Sequence, residues 1–174
     1  MDIAKQYKVD AIISLNDLEL PILAEHKSKF TELGVQVIVS DTHVIDIAFD
    51  KLKTHEFLLS IGLNSPKTFI SLDKAKEAID KGELSFPLIV KPRWGSASIG
   101  LDFPESLEEL ELAYKLQTIK LKKSILNTAS KADLEYAILI QEALQGDEYG
   151  LDIVNDFNGN HFGTFTRKKL KMRS

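Results

Sequence analysis

The sequence predicts an α/β arrangement followed by an α+β one, with the change falling near residues 41–50. Two observations carry the first part: residues 9–15 form a short apolar run, and residues 35–39 form a β-branched one. Between them, Leu18, Ile22, Leu23, Phe30 and Leu33 recur near a helical period, so the three segments make a βαβ unit. A third observation carries the second part. Two strand-like runs near the end flank Asp156-Phe157-Asn158-Gly159-Asn160, and Asn-Gly readily supplies the positive φ that a hairpin turn demands.

Taken in order, residues 2–8 read as the second half of a helix whose preceding strand is absent, so a polypeptide that extends upstream is expected. Gly34 ends the first long helix, 18–33. Ser40 and Asp41 offer capping oxygens to a helix at 44–49, and Asp50 can cap a second one at 51–61, ended by Gly62. Pro66 opens a strand at 67–70. Ser71 precedes an amphipathic helix with Ala75, Ala78 and Ile79 on one side, which ends at Lys81-Gly82. A buried strand, 86–91, follows, and then a helix at 107–121 carrying Leu107, Leu110, Leu112, Leu116 and Ile119. Residues 122–133 are polar and turn-like, a connection to strand 136–141; residues 142–147 lead to strand 148–155, which returns as 161–167. The expected domains are 1–45 and 46–174.

Composition narrows the function classes. With 174 residues, 44% hydrophobic and 28% charged, the chain can bury a real core. No apolar run approaches the roughly 20 residues of a membrane span, and the start lacks the basic and apolar regions of a secretory signal, so a cytoplasmic protein is expected. The absence of cysteine excludes disulfides, thiolate metal sites and a cysteine nucleophile. A net charge of −4 argues against a nucleic-acid partner, and the closing run of Arg167, Lys168, Lys169, Lys171 and Arg173 reads as a solvated, frayed tail. His26, His43, His55 and His161 lack metal-ligand spacing, and there is no Gly-x-Ser-x-Gly elbow.

Two segments carry chemistry. The first is Pro87-Leu88-Ile89-Val90-Lys91-Pro92-Arg93-Trp94-Gly95-Ser96-Ala97-Ser98-Ile99-Gly100-Leu101. A lysine closing a buried apolar strand is costly unless an anion meets it, and a Gly/Ser loop directly after it can offer backbone N–H groups to phosphate oxygens. The order, lysine before glycines, fits neither the Walker nor the dinucleotide pattern. By itself the segment reads equally well as a surface lysine ahead of a small-residue turn. Trp94 is unusual in such a loop and packs on a partner or shields the strand end.

The second segment runs through residues 138–149: a buried strand, a hinge at Gln141-Glu142-Ala143-Leu144 with Gly146 beyond it, then Glu148 opening another strand. A hinge leaves backbone groups free for an adenine edge, and Glu148 has two acceptor oxygens for two ribose hydroxyls. Alone, this too reads as a hairpin with an exposed acid.

Together the two segments resemble the ATP-grasp superfamily, especially carbamoyl phosphate synthetase large-subunit-like members and, more distantly, the ligases that join two D-alanines. The resemblance covers about residues 41–167, while residues 1–40 resemble the end of the Rossmann-like preATP-grasp domain that precedes the grasp. It implies that Lys91 holds the α- and β-phosphates of ATP and that Lys51, or its competitor Lys53, approaches the phosphates from the helix. Gly95, Ser96, Ala97, Ser98 and Gly100 would close over the β- and γ-phosphates. Gln141, Glu142, Ala143 and Leu144 would line the adenine, with the Gln141 amide oxygen where relatives often have an acid, and Glu148 would bind the ribose. The family's Mg²⁺ ligands lie well downstream of that glutamate, so they are expected outside this chain; Asp152, Asn155 and Asp156 read as a polar face and turn. The implied reaction is an ATP-dependent ligation of a small carboxylate or bicarbonate to an amine or ammonia through an acyl phosphate, with a homo-oligomer left open. The fragment alone is expected to bind nucleotide weakly and not to turn over. The competing reading is a non-catalytic α/β binding or interaction domain.

Overall fold

The computed structural model describes residues 1–95, 100–123 and 133–170. They pack as two compact units, Met1–Ala143 and Leu144–Ser174. The first opens with α1 (Asp2–Gln6) and β1 (Ala11–Ile13), then a 3₁₀ turn at Asp17–Glu19 whose first amide bonds are secured by the Asn16 side chain, which accepts from the Leu18 N–H. The single helix expected at 18–33 is instead two: α2 (Leu20–Glu25) and α3 (Lys27–Thr31). Pro21 fixes the first turn of α2, and the backbone leaves helical geometry at His26, with φ −103° and ψ 9°. Gly34, at φ 77°, then turns the chain into β2 (Gln36–Ile38). β1 and β2 pair in parallel, as a βαβ unit requires, with Ile12 opposite Val37. Burial is one-sided: Val35 and Val37 are buried, whereas Ile13 and Ile38 stay exposed.

Next come α4 (Thr42–Phe49) and α5 (Lys51–Ser60), which meet at Asp50. Asp50 caps α5 as expected, its carboxylate accepting from the backbone N–H of Leu52 and Lys53. A three-stranded antiparallel sheet in the order β3-β5-β4 follows: β3 (Thr68–Phe69), α6 (Leu72–Asp80), β4 (Leu88–Pro92), α7 (Leu107–Lys122) and β5 (Ile138–Glu142). The strand expected at 136–141 starts two residues late because Leu134–Tyr136 forms a 3₁₀ turn. The connection 124–132 lies outside the described residues.

Strand β4 alternates. Leu88, Val90 and Pro92 are buried, while Ile89 and Lys91 are only partly covered. The buried side meets Ile138 and Ile140 of β5, Ala75 and Ala78 of α6, and Leu110 and Leu121 of α7. Lys91 is thus held on the other face, opposite Leu139 and two pairs along from Ile89↔Gln141. After the strand, the chain returns at Gly100 with φ 73°; a Cβ there would lie 2.6 Å from Gln117 Oε1 and 3.1 Å from the Pro92 ring, so only glycine fits.

The second unit is a hairpin of β6 (Tyr149–Asn155) and β7 (His161–Lys168) with a bulge at Val154/Asn155. Of the Asn-Gly pair, Gly159 alone takes positive φ, 83°, and the Asp156 carboxylate fastens the turn by accepting from the backbone N–H of Asn158 and Asn160. The closing basic run is therefore not all frayed tail: Arg167 and Lys168 belong to β7, where they pair with Asp152 and Asp147. Among the described residues, no helix is long and apolar enough to cross a membrane.

Because Leu110 is fully buried between α7 and the sheet, Leu110→Ala is expected to lower unfolding free energy by about 2–5 kcal/mol. Exposed Leu59 on α5, changed to Ala, is expected to cost about 0.5 kcal/mol or less. Urea denaturation followed by circular dichroism reads both, and equal losses would refute the placement of the core.

Candidate functional site

The sheet's partly open face brings the two predicted lysines together. Lys51 starts α5 and reaches across to the end of β4: its Nζ donates to the carbonyl oxygens of Gly95 (2.6 Å) and Arg93 (3.3 Å), and its backbone N–H donates to Arg93 O at 3.2 Å. Lys91 Nζ donates to Gln141 Oε1 at 2.5 Å, and Gln141 Nε2 donates in turn to Thr68 Oγ1 at 2.7 Å. Lys53 points elsewhere, donating to both carboxylate oxygens of Asp46 at 2.7 Å. The geometry separates the two candidates on α5: Lys51 approaches Lys91 and the loop, and Lys53 does not.

Both site lysines are held among neutral partners. Among the described residues, neither ammonium has a carboxylate hydrogen-bond partner; Lys51 meets carbonyl oxygens and Lys91 an amide. Burial, then the positive charge of Lys91, pull the Lys51 pKa down to about 8, against the weaker opposing pull of Asp50 and Asp17. Burial likewise holds Lys91 below the ordinary lysine range. Two partly desolvated cations repelling each other form a site that gains from an anion lying between or above them.

What sets this arrangement is a residue that sequence reasoning passed over. Arg93 is buried and grips Asp50 with two bonds, Nε to Oδ1 at 2.8 Å and Nη2 to Oδ2 at 2.7 Å. A third bond, Nη1 to Asp133 Oδ2, spans 2.9 Å, and the guanidinium lies 4.5 Å from the centre of the Trp94 ring. The Trp94 indole therefore shields the strand end, one of the two roles expected for it. The available signal was the placement of an acid just before the first lysine, Asp50-Lys51, and an arginine two residues after the second, Lys91-Pro92-Arg93.

Two clefts border this network. One, of about 280 Å³, is lined by Asp17, Leu20, Phe49, Lys51 and Gly95; the other, of about 710 Å³, opens beside Lys53, Asp50, Arg93 and Trp94 over Leu18 and Ile22. Ser96, Ala97 and Ser98 lie outside the described residues, between Gly95 and Gly100. At the hinge, Glu142 closes β5 by pairing with Lys67, its carboxylate accepting from the Lys67 N–H at 3.2 Å, and Ala143 follows it. Leu144 and Glu148 belong to the second unit, where the Glu148 carboxylate is paired with Lys169. Asp152 and Asp156 are engaged by Arg167 and by the hairpin turn, and among the described residues no group of three or more His, Cys, Asp or Glu side chains is arranged to hold a metal ion.

Comparison with known proteins finds family matches in both parts of the chain. Residues 1–38 match the family described as "PylC-like, N-terminal domain", and residues 84–173 match the ATP-grasp domain. A D-alanine–D-alanine ligase of Ectopseudomonas mendocina is 31% identical over 108 residues, 62% of this chain and 30% of the ligase. A carbamoyl-phosphate synthase of Methanobrevibacter smithii is 28% identical over 112 residues, 63% of this chain and 30% of that protein. The chain thus spans about a third of the length of these curated relatives. Among solved structures, the biotin carboxylase domain of Hydrogenobacter thermophilus 2-oxoglutarate carboxylase, crystallised with MgADP, ADP and bicarbonate, shares the fold. Its TM-score is 0.66 at 20% identity, over 94% of this chain and 35% of that one. With half of its length matched by the domain and its lysine-bearing strand, loop and hinge inside that match, the chain belongs to the ATP-grasp family.

Proposed function

We propose that this chain is the ATP-holding part of a carboxylate–amine or carboxylate–ammonia ligase of the carbamoyl phosphate synthetase-like type, acting in the cytoplasm. Residues 1–45 form the end of a preATP-grasp domain and residues 46–174 the first part of the grasp. The observation that carries the reading is the pair Lys51 and Lys91, two partly desolvated ammonium groups supported by neutral acceptors and, among the described residues, without a carboxylate bonded to either. A triphosphate supplies the missing negative charge. Lys91 takes α- and β-phosphate oxygens, Lys51 joins it from α5, and the loop through Gly95, Ser96, Ala97, Ser98 and Gly100 covers the β- and γ-phosphates. Gln141 already gives its amide N–H to Thr68 and one oxygen lone pair to Lys91. Its second lone pair remains for the adenine amino group, beside Glu142, Ala143 and Leu144. Glu148 takes the ribose hydroxyls.

In the whole enzyme, on this reading, the γ-phosphoryl group passes to a carboxylate or bicarbonate oxygen and ADP departs. The amine or ammonia then attacks the acyl carbon and phosphate leaves. The residues here position the triphosphate and neutralise its charge, the main protein contributions to phosphoryl transfer. Mg²⁺ would add further charge neutralisation; Asp152 is engaged by Arg167 and Asp156 by the hairpin turn, which supports the expectation that its ligands lie outside this chain.

Calorimetric titration with ATP and magnesium is expected to show weak, measurable binding and no ligase turnover. Lys91→Ala removes one charge-assisted contact worth about 1.5–3 kcal/mol, a loss of roughly 10- to 100-fold in affinity, and abolishes nucleotide protection against heating. Undiminished binding by that variant would discard the site, and no binding by the folded parent chain would favour a non-catalytic α/β interaction domain.

Nucleotide affinity should also fall as pH rises through about 8, where Lys51 loses its proton. Stability moves the other way. A lysine whose folded pKa lies below its unfolded value binds fewer protons when folded, so the free chain gains stability as pH climbs from about 8 towards 10.5. Lys51→Arg, which stays charged, is expected to flatten both slopes, leaving only what Lys91 contributes; titrations and thermal melts across that range with slopes equal to the parent's would refute the role of Lys51.

A further inference from the structure

Helix α7 buries one face and shows a second apolar face opposite it. Leu110, Gln117 and Leu121 are buried, with Ala113 and Tyr114 packed beside them. On the far side Leu112, Leu116 and Ile119 remain 61%, 45% and 44% exposed. They are spaced four and then three residues apart, the spacing that lines side chains along one stripe of a helix. Glu108 extends this stripe towards the N-terminus and Lys123 continues it just past the helix end; both are exposed, and neither forms an ion pair among the described residues. Glu111, one turn round the helix, is by contrast already taken by Lys76.

Read along the helix, the stripe is acid, leucine, leucine, isoleucine, base, with exposed Lys115, three residues after Leu112 and four before Ile119, along its flank. Turned about a two-fold axis near Leu116, it becomes its own complement. Glu108 then faces Lys123 of a second copy, Leu112 faces Ile119, the two Leu116 side chains meet near the axis, and every contact occurs twice, as an isologous interface requires. We propose that this face of α7 is a self-association surface whose partner is a second copy of the same chain, docked as an antiparallel helix pair. Antiparallel order is selected by charge: a parallel pair would set Glu108 against Glu108 and Lys123 against Lys123. The stripe runs about 22 Å along the helix, so the pair alone buries less than the roughly 1,200 Å² of a standard interface. The association is accordingly reversible and weakened by salt.

Sedimentation velocity of the 174-residue chain without nucleotide, over a concentration series at low and high salt, tests this. A monomer–dimer equilibrium shifted to monomer by salt is expected. Leu116→Glu, which brings two carboxylates together at the axis, should leave only monomer. Glu108→Lys and Lys123→Glu should each weaken the dimer up to about 30-fold, since exposed pairs are worth up to about 1 kcal/mol, each dimer loses two, and about 1.4 kcal/mol is tenfold. The double variant should recover the parent's association, because the exchanged charges again face opposites. All these positions are exposed, so unchanged circular dichroism certifies the fold. A chain monomeric throughout the series, association that survives Leu116→Glu, or a double variant no better than the singles would each overturn the proposal.

Discussion

A guanidinium and a carboxylate, withdrawn from water together, fix the geometry on which the site depends. The side chains of Arg93 and Asp50 are 10% and 5% exposed, so each would be strongly destabilising without the other. Such pairs contribute little net stability, because desolvation offsets most of the attraction; what they supply is orientation. Asp50 also caps α5, so one carboxylate determines where that helix begins and which way Lys51 leaves it. Arg93 sits two residues beyond Lys91, and its own carbonyl accepts from both nitrogens of Lys51. The helix N-terminus, the strand end and the start of the loop are thereby tied at one point.

With that point fixed, Lys51 is held near enough to Lys91 for the two charges to repel. Their partners, carbonyl oxygens and one amide, accept hydrogen bonds without cancelling charge. The depressed lysine pKa values express the cost: burial disfavours the proton on each, and mutual repulsion adds to it for Lys51. An acidic residue in place of Gln141 would have relieved that cost by neutralising Lys91. The amide orients the lysine and leaves its charge uncancelled, an arrangement open to an anion.

Much of this was legible in the sequence because local chemistry and the tertiary outcome agree. The apolar run ahead of Lys91, the cap at Asp50, and the glycines at 34, 62, 100 and 159 each require what the fold provides, with positive φ at all four. The ATP-grasp membership followed from the order of strand, loop, hinge and acid. Three things were hidden. The break at His26 carries no strong sequence signal, since one histidine inside an apolar period looks helical. The Arg93–Asp50 clasp joins residues 43 apart in the chain and leaves no periodic trace. Lys51 and Lys53 look alike until the helix phase is known: one points to the strand end and the other to Asp46.

The two parts of the proposed nucleotide site are built on different foundations. The phosphate side rests on a three-stranded sheet covered by two helices, with Leu88, Val90 and Ile140 fully buried beneath it. Glu148, proposed for the ribose, stands ahead of a two-stranded hairpin whose Leu151, Ile153, Phe162 and Phe165 are all more than half exposed. An isolated hairpin is marginal in water, because a single ladder cannot bury enough apolar surface to offset chain entropy. In the proposed site, affinity would therefore belong chiefly to the phosphates, where groups are already oriented. The proposed ribose contact would carry the added entropic cost of ordering its own support, and Glu148 would have to exchange its bond with Lys169 for the hydroxyls.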